Sequence, residues 1–196
     1  MKPRTGFFVQ PSEDEDSQLM TKVRDGDTRA FAKLFERYKV PILSYIRRQV
    51  RHPTVAEELA QEVFLKVYRA RQSYEPKAKF STWLWTISRN TIIDHHRASS
   101  QGWVEVPDFT DTVMDALPDE GDSPEEKLLA GVAQERLDEC LEKLPARSKE
   151  ILMLRVQSDL TYEELSEIVG ESVANIKTLT HRARRMLTLC LERGGV

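Results

Sequence analysis

Apolar residues in the first half of the chain recur at three- and four-residue spacing. Phe31, Leu34, Phe35, Tyr38, Ile42, Tyr45, Ile46 and Val50 make one such stripe, the mark of an amphipathic helix with one buried face. Pro41 lies inside it, where the missing N–H predicts a kink or a break, and His52-Pro53 ends it. Thr54 and Glu57 have capping-box spacing for a second helix. Its core face is Leu59, Ala60, Val63, Phe64, Val67 and Tyr68. A loop with Pro76 and lysines follows, and Ser81 is placed to cap a third helix carrying Trp83, Leu84, Ile87 and Thr91 on one side. No stretch sustains two-residue alternation. The fold class expected is all-α.

The pattern is interrupted twice. Residues 1–17, ending in a run of acids, read as a solvated tail. Between Ala98 and Asp122 periodicity stops, and the stretch holds seven acids, no base, Gly102, Pro107, Pro118 and Gly121. Such a composition buries too little to order itself, and its length argues for a boundary. Ser123-Pro124-Glu125-Glu126 then supplies an N-cap, a first-turn proline and a capping glutamate. The expected organisation is a tail (1–17), a helical domain (18–99), a flexible acidic linker (100–122) and a second helical domain (123–196).

The second domain holds the sharpest local signal. Thr161-Tyr162-Glu163-Glu164 caps a short helix with Leu165, Ile168 and Val169 inward, and Gly170 is placed to end it in the left-handed conformation. Ser172 can cap a longer helix with Val173, Ile176, Ala183, Leu187 and Cys190 along one face. Short helix, glycine turn and longer helix is the layout of a helix-turn-helix, with the small Ser166 where its helices cross. Lys177, His181, Arg182, Arg184 and Arg185 line the other face, as the major groove and its phosphates require. An αα-hairpin with a basic solvent face shares part of this pattern.

Charge sharpens the picture. The chain of 196 residues carries a net charge of −3. Residues 1–100 hold 18 Lys and Arg against 12 acids, 101–142 hold 2 against 13, and 143–196 hold 9 against 7. A basic, acidic, basic succession is unlike an evenly solvated globule. No apolar run reaches 18 residues and no signal-peptide pattern stands at the start, so a cytoplasmic protein without membrane insertion is expected. Cys140 and Cys190 sit among Leu137, Leu141, Leu187 and Leu191 and read as core thiols, with neither a disulfide framework nor a zinc knuckle suggested. His52, His95, His96 and His181 lack metal-ligand spacing. No nucleotide loop, nucleophile elbow or zinc-protease motif occurs. No catalytic residue, metal or cofactor is expected, and Glu57-Glu58 and Glu163-Glu164 are explained by helix N-termini.

Three segments, taken in order, resemble the bacterial RNA polymerase sigma factors of the extracytoplasmic-function (ECF) type. Residues Glu57–Ala70 (EELAQEVFLKVYRA) are similar to the helix that grips the polymerase clamp. Residues Lys79–Arg97 (KFSTWLWTISRNTIIDHHR) are similar to the segment that melts and reads the −10 promoter element. Residues Leu160–Arg185 are similar to the helix-turn-helix that reads the −35 element. The resemblance implies polymerase contacts from Glu58, Gln61, Glu62, Lys66 and Arg69. It implies −10 DNA contacts from Lys77, Lys79, Phe80, Ser81, Trp83, Trp85, Arg89, Asn90, Asp94, His95 and Arg97. It implies −35 contacts from Ser172, Asn175, Lys177, Thr178, His181, Arg182, Arg184 and Arg185. The residues agree in kind: cations interleaved with rings suit single-stranded DNA, and Asn90 with Asp94 offers polar groups to the edge of an extruded base. Trp83 and Trp85 face different ways on one helix, so one belongs to the core and the other is left to stack.

The implied partners are core RNA polymerase, promoter DNA as duplex and single strand, and an anti-sigma protein in a stress or envelope response. Two departures from the family pattern stand out. Leu179 replaces the usual arginine of the recognition helix, and Glu171 stands where an apolar residue is commoner. Two rivals remain on the residues alone: a helix-turn-helix regulator that binds duplex unaided, and a hydrolase using Asp94, His95 and His96.

Overall fold

The first helix begins where a solvated tail was expected. The computed structural model describes residues 14–50, 52–100, 135–158 and 160–193, and α1 spans Glu15–Arg24, capped by Asp14, whose side chain accepts from the Ser17 N–H. Leu19, Met20 and Val23 are buried. The tail boundary at 17 is therefore corrected: Ser17 is core, and Asp16 takes a hydrogen bond from the Tyr38 hydroxyl at 2.6 Å and pairs with Arg37. Gly26, at φ +102°, makes the turn that leads into α2.

Helix α2 (Thr28–Arg47) is capped by Asp27, which accepts from the N–H groups of Arg29 and Ala30. It runs through Pro41 without a break. Ile42, Tyr45 and Ile46, all buried, hold the helix on the core on the far side of the proline. Helix α3 (Pro53–Arg69) starts one residue before the expected capping box. Pro53 occupies the first turn, His52 is the N-cap without a side-chain bond, and Glu57 pairs instead with Arg47 at 2.9 Å. A single 3₁₀ turn, Ala70–Ser73, follows. The stripes of α2 and α3 meet edge to edge, Phe31 on Tyr68 and Phe35 on Phe64.

Helix α4 (Phe80–Ser100) is started from a distance. Its first N–H, that of Phe80, donates to the hydroxyl of Ser17 at 3.1 Å, and the Tyr74 hydroxyl donates to the same oxygen at 3.0 Å. Ser81 does not cap it, because it already lies inside the first turn. Trp85, 1% exposed, packs edge-on against Tyr45 at 5.4 Å between ring centres.

The second unit contains α5 (residues 135–142), α6 (Ala146–Gln157), α7 (Tyr162–Val169) and α8 (Val173–Arg193). The linker 100–122 and the helix start at Ser123 lie outside the described side chains. Helix α6 escapes a periodicity search because Ile151, Leu152, Met153 and Leu154 are consecutive. All four are buried, since α6 packs on α2 on one side and on α7 and α8 on the other. Cys140 and Cys190 form a disulfide with Cα atoms 5.8 Å apart. The reading of two unpaired core thiols is thus corrected: only the adjacency of α5 with the last turns of α8 brings them together, and no short spacing announces it.

The two units touch. Arg48 pairs with Asp138 at 2.9 Å, Arg89 with Glu150 at 2.6 Å and Lys79 with Glu164 at 3.0 Å. Among the described residues every element is helical.

Replacing Ser17 with alanine strands two buried donors, the Phe80 N–H and the Tyr74 hydroxyl. An unsatisfied buried donor costs about 1–3 kcal/mol. Urea unfolding of Ser17→Ala is expected to show a loss of that order, against about 0.5 kcal/mol or less for an exposed serine such as Ser73→Ala.

Candidate nucleic-acid interface

The recognition helix is set by its caps. Thr161 and Glu164 make the reciprocal capping box of α7, and burial works against the Glu164 charge but is outweighed by the Thr161 N–H and by Lys79, which hold its pKa below the ordinary value. Gly170 ends α7 at φ +75°, the left-handed conformation expected of it. Ser172 caps α8 by accepting from the Asn175 N–H at 3.2 Å. Ile176, Thr180 and Ala183 are buried beneath α8. Asn175, Lys177, Thr178, His181, Arg182, Arg184 and Arg185 all stand on its solvent side, with Ser172 at its head. Leu179 is half-buried and packed on the core. Lys177 lies over the Tyr162 ring, its nitrogen 5.5 Å from the centre.

Glu171, whose charge beside the DNA-facing end of the recognition helix is expected from the sequence to narrow sequence choice, is held from two sides. Its carboxylate accepts from Arg147 at 3.2 Å and from the Asn175 side-chain amide at 2.8 Å. Asn175 and then Arg147 keep its pKa below the ordinary carboxylate value.

The other surface lies along α4. Trp83, Ile87, Asn90 and Asp94 of α4 and Lys66 and Arg69 of α3 line an open pocket of about 590 Å³. Asn90, Asp94 and the Trp83 ring thus share one pocket. Lys66 and Arg69, expected on the clamp ridge, also line this pocket: Lys66 donates to Thr91 Oγ1 at 3.1 Å while paired with Glu62 of the ridge at 2.9 Å. The ridge itself keeps Glu58, Gln61 and Glu62, all exposed, and gains Leu65, which is 52% exposed and was passed over as one apolar residue among many.

Two members of the expected −10 set are corrected. Phe80 and Trp85 are each 1% exposed, and a ring enclosed by side chains offers no face to a base. Trp83 is the partly exposed ring, against Tyr74 and Phe80. Lys79 and Arg89 are occupied by acids of the second unit, and Lys77 by Glu75. Ser81 and His95 are half-buried, while Asn90, Asp94 and Arg97 are exposed.

Comparison with known proteins covers both units. Residues 34–102 match the family model Sigma-70 region 2, and residues 134–187 match Sigma-70, region 4. The RNA polymerase sigma-H factor of Pseudomonas aeruginosa is 31% identical over 188 residues, covering 92% of this chain and 96% of that protein. The ECF RNA polymerase sigma factor BldN of Streptomyces coelicolor is 31% identical over 187 residues, covering 93% of this chain and 69% of its own. In fold, the chain is similar to CnrH, solved in complex with the cytosolic domain of CnrY, with a TM-score of 0.69 and 23% identity over 92% of this chain and 99% of that one. The sigma factor RpoE of Bartonella quintana, solved with the anti-sigma factor NepR, gives a TM-score of 0.63 and 21% identity over 84% and 98%. A region 2 surface with an open pocket lined by Trp83, Asn90 and Asp94, a region 4 surface with a cationic recognition helix, and relatives 31% identical over more than nine-tenths of this chain lead to one conclusion: the chain belongs to the RNA polymerase sigma factors, of the ECF type.

Proposed function

We propose that this sigma factor binds core RNA polymerase through the exposed ridge of α3, holds an extruded base of the −10 element in the α3–α4 pocket, and reads the −35 element with α8. The observation that carries this reading is the pocket formed by Lys66, Arg69, Trp83, Asn90 and Asp94, which a duplex-binding regulator has no use for. Lys79 and Arg89 enter DNA binding by exchanging Glu164 and Glu150 for phosphates, so the two units part on promoter binding. The protein carries no active site of its own, a reading supported by the family, whose members are transcription initiation factors. It works where the polymerase works, in the cytoplasm; no helix among the described residues is long and apolar enough to cross a membrane.

Control by an anti-sigma protein completes the proposal. A cleft of about 840 Å³ between α2–α3 and α5–α6 exposes Phe35 and Val40 beside Lys39 and Arg47. An amphipathic segment with acidic flanks fits it. RpoE was solved in complex with the anti-sigma factor NepR, and CnrH with the cytosolic domain of CnrY. The acidic linker 100–122 is assigned the role of an anionic strap through basic polymerase channels.

Transcription in vitro with purified core enzyme tests the whole. Stable duplex binding without directed initiation on any genomic fragment leaves a simple regulator and removes the sigma reading.

Three pairs of variants divide the labour. Glu58→Lys and Glu62→Lys are expected to lose core-enzyme binding in a pull-down while melting temperature stays within the range of ordinary surface changes. Trp83→Ala is expected to keep core and −35 binding but to lose −10 opening, measured by permanganate reactivity of thymines. Trp85→Ala instead loses about 3–5 kcal/mol of stability, as core aromatic truncations do. Arg184→Ala and Arg185→Ala are expected to weaken binding to all promoters alike and to flatten its salt dependence, by about one phosphate contact each.

A further inference from the structure

Beneath the recognition helix lies a chain of polar groups that ends at a base-reading side chain. Arg147 of α6 donates from Nη2 to the Val169 carbonyl at 2.8 Å and to Glu171 Oε1 at 3.2 Å, and from Nη1 to Glu150 Oε2 at 2.8 Å. The Val169 carbonyl is one of the unpaired acceptors at the end of α7, so Arg147 both caps α7 and fixes Glu171. The second oxygen of Glu171, Oε2, accepts from Asn175 Nδ2 at 2.8 Å. Asn175 is itself exposed in the first turn of α8.

A carboxylate only accepts hydrogen bonds, whereas an amide can present either end. Ionised Glu171 therefore holds Asn175 with its nitrogen inward, and the flip that would exchange Oδ1 and Nδ2 is blocked. Oδ1 is left to lead into the groove as an acceptor, with the second Nδ2 hydrogen beside it.

Resting on the reading of α8 as the −35 recognition helix, we infer that Glu171, anchored by Arg147, is a specificity-determining positioning residue that commits Asn175 to an adenine in the upstream element. Adenine offers the matching pair, the N6 amino donor and the N7 acceptor. Cytosine supplies only the donor and ranks second. Guanine and thymine present acceptors toward Oδ1 and toward the Glu171 charge, and are rejected. The charge that looked misplaced in the sequence thus acts against two of the four bases.

The experiment uses holoenzyme reconstituted from core polymerase and the full chain, selecting transcribed templates from a library randomised across the upstream element. Asn175→Ala locates the column by flattening it. In the wild type that column favours adenine over guanine or thymine by about tenfold, within the range of a good bidentate contact. Glu171→Ala is expected to reduce the preference in that same column to about twofold or less, leaving the other columns and the overall yield in place. Arg147→Met narrows it in the same column, and Glu171→Gln, which keeps the shape but frees the amide to flip, does so with the turn intact. A loss of folding would lower every column together; a loss of positioning moves one. An unchanged column in Glu171→Ala and Glu171→Gln overturns the inference while the −35 reading stands. Enrichment of no upstream sequence by the wild type overturns both.

Discussion

One carboxylate, that of Glu150, keeps the two halves of the molecule in register. Its two oxygens accept from Arg89 of α4 and Arg147 of α6, at 2.6 and 2.8 Å, and both it and Arg89 are only 16% exposed. An ion at such depth is costly unless paired and hydrogen-bonded, so Glu150 tolerates neither a shift of α4 nor a rotation of α6. The buried Tyr45 hydroxyl feels the same arrangement: desolvation first, then the Glu150 charge, push its pKa upward. From Arg147 the network continues through Glu171 to the tip of the recognition helix. The bond to Arg89 crosses between the units; the bonds to Arg147 stay within one. Separation of the halves breaks the first and leaves the second whole.

Helix α4 shows how a single segment serves as both core and surface. Phe80, Leu84, Trp85, Ser88, Thr91 and Ile92 are buried, while Trp83, Asn90 and Asp94 reach the pocket. Hydroxyl residues on its buried face return their hydrogen bonds to the helix, Ser88 to the Leu84 carbonyl and Thr91 to that of Ile87. Those two pack with their polar atoms satisfied, whereas the buried Thr82 hydroxyl oxygen on the same helix has no partner among the described residues. The pocket is therefore mounted on an element whose other side is already committed to the core.

Much of this was legible in the chain because it is local. The capping box at Thr161, the left-handed Gly170, the Ser172 cap and the helix periodicities depend on neighbours within four residues, and the structure reproduces them. What escaped was set by distant partners. Ser17 starts a helix 63 residues away. Which tryptophan is core depends on where Tyr45 sits, and Leu179 could be placed only once α8 was docked. Consecutive apolar residues in α6 carry no readable period because two bodies cover the helix. Acids paired across the units, Glu150 and Glu164, look like any solvated charge in the sequence.

The Cys140–Cys190 bond has a consequence for the unfolded chain rather than for the folded one. It spans 50 residues, from α5 to the last turns of α8, and so encloses almost all of the described part of the second unit. Closing a loop of that size removes conformational freedom from the denatured ensemble worth about 4 kcal/mol in the chain-entropy account. That contribution belongs to the second unit alone and owes nothing to its contacts with the first. On the proposed parting of the two units, the second keeps a source of cohesion that separation does not remove.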